Sequence, residues 1–332
     1  GRGRRMSTIV SSPATCFGKI PSRGDFIKGA GQHQLVSVLD RWVSQAMERL
    51  SDDPRWKTAY DSACAIDFAF VGARSRLSVA GHLRPSTDSS GRRFPFIAAA
   101  TIERDDALLF RCAPAGLAHS FSALARIAEG GVRGAEAADI LAELEGVNCT
   151  ADFETALESD PLGNFVRRNS LESLATLVGA SGSEAVRRII LAIGLLMRPA
   201  LGQGHVAIDK EIVLPLPADE RNRNLVAGFW LYLLTAFLRR TLVELQLIVE
   251  RRPEQPRLII GFNGSSADTL VATLSPESAV ERIIPLFDPE WVEDQSAISD
   301  DYGVAKLSSY LAQSHISLEQ AINTFREVFL GE

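Results

Sequence analysis

The chain is poor in the residues that mark most chemistries. Its 332 residues include four cysteines and five histidines. Cys16, Cys64, Cys112 and Cys149 form no C-x-x-C pair, and none stands at metal-ligand spacing from a histidine. Neither a zinc site nor a disulfide framework is expected, and reduced, mostly buried thiols are the plain reading. Basic charge is not in excess. The 35 Lys and Arg against 41 Asp and Glu give a net charge of −6, so no global field favours nucleic acid or an anionic membrane. Long apolar runs are missing too. Residues 189–197 make too short a run, and LVAGFWLYLLTAFL (225–238) has fourteen residues where a spanning helix needs about 20. The second run is expected to be a buried core helix, without stable membrane insertion. No secretory leader is legible, which makes the cytoplasm the expected location. GRGRR ahead of Met6 reads as an added leader, and residues 1–14 as a disordered or appended stretch outside the folded domain.

Enzyme signatures are also lacking. A phosphate-binding loop needs Gly, four residues, then Gly-Lys-Ser/Thr. Around Gly18-Lys19 the first position is Pro13 and the last is Ile20, so the pattern fails twice. No G-x-G-x-x-G and no G-x-S-x-G elbow occurs. A Ser–His–Asp set can be drawn from Ser22 or Ser86, His82, and Asp25 or Asp88. It leaves open a small hydrolase, or a phosphate-binding enzyme using Lys19, built on the Ser22/Asp25 and Ser86/Asp88 loops. Serines in turn-rich loops more often bond local backbone. No cofactor or metal is expected, and the plain expectation is a protein without enzymatic activity.

What is present is a core-forming composition, with 46% hydrophobic and 23% charged residues. The apolar positions Leu35, Val36, Leu39, Trp42, Val43, Ala46, Met47 and Leu50 have 3-4 spacing and predict an amphipathic helix over 33–50. Strands are expected over 15–20, at Ile66/Phe68/Phe70, over 77–83 and over 93–102, with a hairpin at 72–76. From about 114 to 198 the pattern turns helical, with segments at 117–129, 135–145, 152–158, 170–179 and 183–197. A buried helix over 219–241 and a hairpin of strands 243–250 and 257–262 follow. Pro276 opens a short helix, 287–291 is a turn, and 300–330 holds two helical segments. In the last of these, Ser317 with Gln320 reads as a capping box and Ile322, Phe325, Val328 and Phe329 as the apolar face. The expected fold is α/β, with helices on both faces of a mixed, partly antiparallel sheet. Residues 15–297 are read as one α/β domain, 114–198 as a possible sub-lobe, and 298–332 as a helical C-terminal extension.

The most unusual stretch is FGKIPSRGDF (17–26), with two glycines, a proline and an Arg-Gly-Asp run in ten positions. Gly18 and Gly24 permit backbone angles that other residues avoid, and Pro21 fixes one dihedral. RPSTDSSGR (84–92) is a second loop dense in turn formers. The first loop offers Lys19, Arg23 and Asp25; the second offers Asp88, Arg92 and Arg93. If their strands are neighbours, the loops meet at one end of the sheet, where Asp25 could pair with Arg92. They then either hold the sheet end together or present a partner-binding surface, and the two roles are compatible.

Gly18-Lys19-Ile20-Pro21-Ser22-Arg23-Gly24-Asp25-Phe26 resembles the N-terminal signature of the TagF/ImpM family. Gly81-His82-Leu83-Arg84-Pro85-Ser86, then Asp88, Gly91-Arg92 and Phe94-Pro95, resembles its second signature. The Trp42 helix and the aspartate-proline-Trp56 region fit the same plan. The resemblance is strong over about residues 15–100, loose at the later strands and Leu214-Pro215, and does not extend to residues 298–332. It implies a three-layer α/β/α sandwich and a cytoplasmic accessory protein of the bacterial type VI secretion system. It further implies a post-translational repressor without enzymatic activity, whose partner is a forkhead-associated-domain scaffold. Lys19, Pro21, Ser22, Arg23, Gly24, Asp25, Pro85, Ser86, Asp88, Gly91, Arg92 and Arg93 are the positions expected to bind a partner or to organise the loops.

Overall fold

A computed structural model describes residues 13–332. The expected leader therefore lies outside the described residues, except for Pro13 and Ala14. Among the described residues nine strands form one sheet: β1 (Thr15–Gly18), β2 (Ile27–Lys28), β3 (Ile66–Gly72), β4 (Leu77–Arg84), β5 (Phe96–Glu103), β6 (Glu211–Pro215), β7 (Glu244–Glu250), β8 (Arg257–Gly261) and β9 (Ile283–Pro285). Their order is β2-β1-β5-β4-β3-β7-β8-β6-β9. Every neighbouring pair is antiparallel except β6 and β9, which run parallel. The sheet is thus mixed and mainly antiparallel.

The period-2 alternation of a strand sends successive side chains to opposite faces, and both faces of this sheet are covered. Ile66, Phe68 and Phe70 of β3 face one apolar cluster. The helix His33–Leu50 fills it with Leu35, Val36, Leu39, Trp42, Val43, Ala46 and Leu50, the face read from its spacing. Trp42 packs on Phe68 and Phe70 at centroid distances of 4.7 and 5.0 Å, and its indole N–H donates to Gln246 Oε1 at 3.1 Å. Helix Ala267–Leu274 lies beside it in the same layer. Ala69 and Val71, the alternate residues of β3, face a larger cluster on the other side. That cluster is built from Phe121 and Leu124, Phe153, the helix Ser183–Met197 and the helix Glu220–Thr235. Two helical layers around one sheet make the three-layer α/β/α sandwich.

The C-terminal helices, Tyr302–Leu311 and Leu318–Leu330, bury Leu307, Leu311, Phe325 and Phe329 in that second cluster. Phe325 and Phe329 lie 5.6 and 5.8 Å from Phe237. The Ser317–Gln320 capping box is formed, at 2.8 and 3.1 Å. The 225–238 run is inside the protein, with Phe229, Trp230 and Leu231 fully buried. Among the described residues no helix is long and apolar enough to cross a membrane. Cys16 and Cys149 are buried, Cys64 and Cys112 half-buried, and all four are free thiols.

Several elements differ from the sequence reading. A helix over Leu108–Gly116 precedes the first one expected, because Pro114 is accommodated at a break marked by the non-helical Cys112 (φ −141°). Asp160, in a left-handed conformation (φ 45°), ends helix Cys149–Ser159 and caps a new one, Pro161–Arg168, by accepting from the Gly163 N–H at 3.2 Å. The helix expected over 219–241 stops at Thr235. Strands β6 and β9 also lie in stretches read as unstructured or helical.

Candidate functional site

The two loops meet. β1 pairs with β5, and β5 with β4, so residues 19–26 and 85–95 leave the same end of the sheet. Gly18 is the pivot. It has φ +132°, and a Cβ there would stand 2.0 Å from the Pro95 carbonyl oxygen, so only glycine fits. The Lys19 N–H donates to that carbonyl at 3.2 Å. The chain then turns at Pro21-Ser22, closed by Arg23 N–H to Ile20 O, and returns as β2 along β1. Ser22 Oγ donates to the Ala135 carbonyl at 3.1 Å, tying the turn to the segment before helix Ala137–Leu144.

The second loop is a hairpin in miniature. Asp88 N–H donates to Arg92 O, Phe94 N–H to Ser86 O, and Gly91, at φ +79°, supplies the left-handed turn. Tyr60 clamps its base from the helix Trp56–Ser62: the phenol donates to Ser86 O and accepts from Ser86 N–H, both at 2.8 Å. Arg93 grips the same helix through a two-pronged pair with Asp61, 2.7 Å at each prong. That pair holds the Asp61 carboxyl below its usual range.

Asp88 joins the loops. Its side chain is fully buried. Oδ1 accepts from the Ser90 and Arg92 amides at 2.9 and 3.0 Å, and Oδ2 from Lys19 Nζ at 3.2 Å and Arg92 Nε at 2.7 Å. Burial pushes its pKa up, but these four donors outweigh burial and hold the carboxyl down at about 2. Two further bonds cross between the loops: Ser89 N–H to Arg23 O at 2.8 Å and Arg92 Nη2 to Gly24 O at 2.9 Å. An aromatic triad lies underneath, with Phe26 stacked on Phe17 at 5.6 Å and edge-on to Phe94 at 5.0 Å; Lys19 Nζ lies 5.0 Å from the Phe26 ring centre.

The expected pairing of Asp25 with Arg92 is not formed. Arg92 lies four residues from Asp88 within one tight loop and is taken by it, while Asp25 Oδ1 accepts from the neighbouring Phe26 N–H at 2.8 Å. The Ser–His–Asp set is not assembled either. Ser22 and Ser86 bond to carbonyl oxygens, and His82 lies fully buried with Nδ1 on Asp67 at 2.8 Å. The candidate residues therefore fall into two groups. Ser86 and Asp88 are buried fasteners and Lys19 and Arg93 half-buried ones, Arg93 reaching along the surface to Asp61, with Pro21, Ser22 and Pro85 half-buried around them. Arg23, Gly24, Asp25, Gly91 and Arg92 are exposed, together with Phe26, 37% exposed, which charge-based reading passed over. An aromatic residue ending a turn-rich polar loop is the signal that would have found it. The outward set combines two guanidiniums, a carboxylate and an aromatic ring on a backbone held by cross-bonds.

Among known proteins, residues 15–145 match the TagF N-terminal domain, described as type VI secretion system-associated. The crystal structure of PA0076 from Pseudomonas aeruginosa PAO1 is similar at 22% sequence identity and a TM-score of 0.34, over 40% of this chain and 61% of that one. This chain thus spans less than two thirds of that protein's length. No curated protein matches. Residues 15–145, which carry both interlocked loops, are a TagF N-terminal domain, a type VI secretion system-associated domain.

Proposed function

We propose that the protein is a non-enzymatic, cytoplasmic, post-translational repressor of the type VI secretion system, and that it acts by binding a forkhead-associated-domain scaffold and withholding it from assembly. The observation that carries this reading is the division of labour at the loops. Buried Asp88 fastens both loops, and Arg23, Asp25, Phe26 and Arg92 are left facing solvent on a preset backbone. A surface ordered before binding loses little conformational entropy when a partner docks. Arginine and aromatic side chains are the types that most often dominate such contacts. Sequestration requires a rigid surface and no bond-making.

The test is calorimetry of the purified protein against the forkhead-associated scaffold from the same bacterium. Arg92→Glu is a poor probe, because Arg92 also bonds Asp88 and Gly24. Arg23 is better: its backbone is engaged and its side chain is exposed. Arg23→Glu is expected to weaken binding at least tenfold with an unchanged melting temperature. Unchanged affinity in Arg23→Glu and in Phe26→Ala would remove the loops from the interface, and no binding by the wild type would remove the partner.

A further inference from the structure

Glu211 is a carboxylate in a position that packing assigns to the core. It opens β6, two residues before Val213, and side chains of one face recur every second residue. Both therefore meet the layer of the helix Ala267–Leu274. Glu211 is 4% exposed. Thr269 Oγ1 donates to its Oε1 at 3.2 Å, an approach that Gly261 permits, since a Cβ there would stand 2.3 Å from the same hydroxyl. The other oxygen, Oε2, is buried with no hydrogen-bond partner. Strand pairing puts Pro215, the far end of β6, at the sheet end that carries the two loops, so Glu211 lies at the opposite end.

Buried polar atoms in folded proteins nearly always find a partner, and a buried carboxylate is costly unless it is paired and hydrogen-bonded. Among the described residues Glu211 Oε2 is the one buried carboxylate oxygen without a partner. Its cation is Arg282, the last residue of the 3-10 helix Pro276–Arg282, and the match is loose. Arg282 Nη2 is shared among Glu211 Oε1 at 3.5 Å, the Asp209 carbonyl at 3.5 Å and Asp268 Oδ2 at 3.6 Å. Well-fitted guanidinium–carboxylate bonds are about 2.7–2.9 Å. The Arg282 side chain is 47% exposed, and Asp268 is bound by Arg49 through its other oxygen. These groups surround one space. A cleft of about 410 Å³ is lined by Glu211, Asp268, Ser266 and Arg282, with Ile208 and Phe262 as apolar wall; Lys210, the other cation of the lining, is exposed. Glu211 is the one buried residue of that lining, and the volume lies within the range of small-ligand sites, about 300–1,000 Å³.

We propose that this cleft binds an alkylguanidinium group, with Arg282 as its displaceable stand-in. The incoming fork of N–H groups pairs with both oxygens of Glu211, including the orphaned Oε2, as Arg282 moves off. Asp268 Oδ2 is a second acceptor, and Ile208 and Phe262 receive the alkyl stem. Arg282 leaves at little cost, because it is half-exposed and makes no contact with these oxygens shorter than 3.5 Å. A purely structural Arg282 would close on both oxygens of Glu211; it reaches one. The group is either the arginine side chain of another protein or a free guanidino compound, which share this chemistry. The site lies away from the loops and does not depend on the function proposed for them.

The test is ligand-observed NMR titration of the whole protein with three probes. N-acetyl-argininamide stands for an arginine side chain in a protein, agmatine for a free guanidino compound, and N-acetyl-citrullinamide is the uncharged isostere. The two guanidinium probes are expected to bind and the citrulline probe not to. N-acetyl-argininamide binding at least as tightly as agmatine assigns the site to a protein's arginine; tighter agmatine assigns it to a free compound. Glu211→Gln, which keeps an oxygen for Thr269, is expected to weaken binding roughly tenfold or more. Arg282→Ala removes the competitor and is expected to tighten it roughly two- to tenfold. No binding to wild type, equal binding of the citrulline probe, or unchanged affinity in Glu211→Gln overturns the site. If Glu211→Gln fails to fold, Arg282→Ala decides, and an affinity that stays the same or falls overturns the proposal.

Discussion

A carboxylate that accepts four hydrogen bonds from two loops ties the shape of those loops to its own ionisation, and Asp88 is that carboxylate. Its folded pKa, about 2, lies below the ordinary aspartate value near 3.9. A depressed acid binds fewer protons when folded than when unfolded. Its contribution is therefore complete above about pH 4 and is lost as the pH falls toward 2. Asp88→Asn removes this dependence and leaves Lys19 without its carboxylate. The variant should melt lower than wild type at pH 7 and lose less stability between pH 4 and pH 2. Acid titration followed by near-ultraviolet circular dichroism measures both, and superimposable acid limbs would show that the loops are fastened by something other than Asp88. At the residue scale the sequence points to the right atoms and mispairs some of them. The turn formers of 17–26 and 84–92 announce two loops, and their charges announce polar cross-links. The partners depend on tertiary placement: Arg93 reaches Asp61 on a helix, and Asp67, Glu220 and Arg251 come together only through strand pairing and helix docking.

Among the elements, the helix His33–Leu50 is the most legible, because an amphipathic stripe states both its conformation and its buried face. The structure reproduces its bounds and its apolar side. Trp42 anchors that helix, with no exposed surface to speak of and its N–H bonded to the equally buried Gln246. Trp42→Ala empties a large volume between helix and sheet and strips Gln246 Oε1 of its donor. Substitutions of this kind cost about 3–5 kcal/mol. A urea titration should show the midpoint falling accordingly with little change in slope, and a loss under about 1 kcal/mol would mean that the layer repacks around the gap. Other elements are less legible for identifiable reasons. EIVLP (211–215) is five residues long, buried throughout, and lacks the alternation that distinguishes a strand. The helix Leu108–Gly116 carries Pro114, which reads as a boundary until the neighbouring helices are seen to support the break.

Across the whole molecule, the C-terminal helices and the sheet share one apolar cluster, since Phe325 and Phe329 pack on Phe237 within the cluster that also holds Val71 of β3 and Ala98 of β5. Shared packing of this extent couples elements that are far apart in the chain. Phe325 lies beyond the matched domain of residues 15–145, on the sheet face opposite Trp42. If the layers are one cooperative unit, damage at Phe325 must reach the Trp42 layer. Phe325→Ala should cost about 3–5 kcal/mol and lower the midpoints of all probes together: far-ultraviolet dichroism, and fluorescence of variants that keep only Trp42 or only Trp230 of the four tryptophans, which report opposite faces. A biphasic transition, with the Trp42 face melting at its wild-type midpoint, would show instead that the sheet and its first helical layer fold independently of the C-terminal helices. The same comparison bears on the loops, because β1, β4 and β5, which position them, contribute Cys16, Ala80, Ala98 and Ala100 to the cluster that Phe325 completes. Coincident melting would mean that a weakened C-terminal helix depletes the binding-competent loop surface in proportion to the unfolded fraction, with no contact between that helix and any partner.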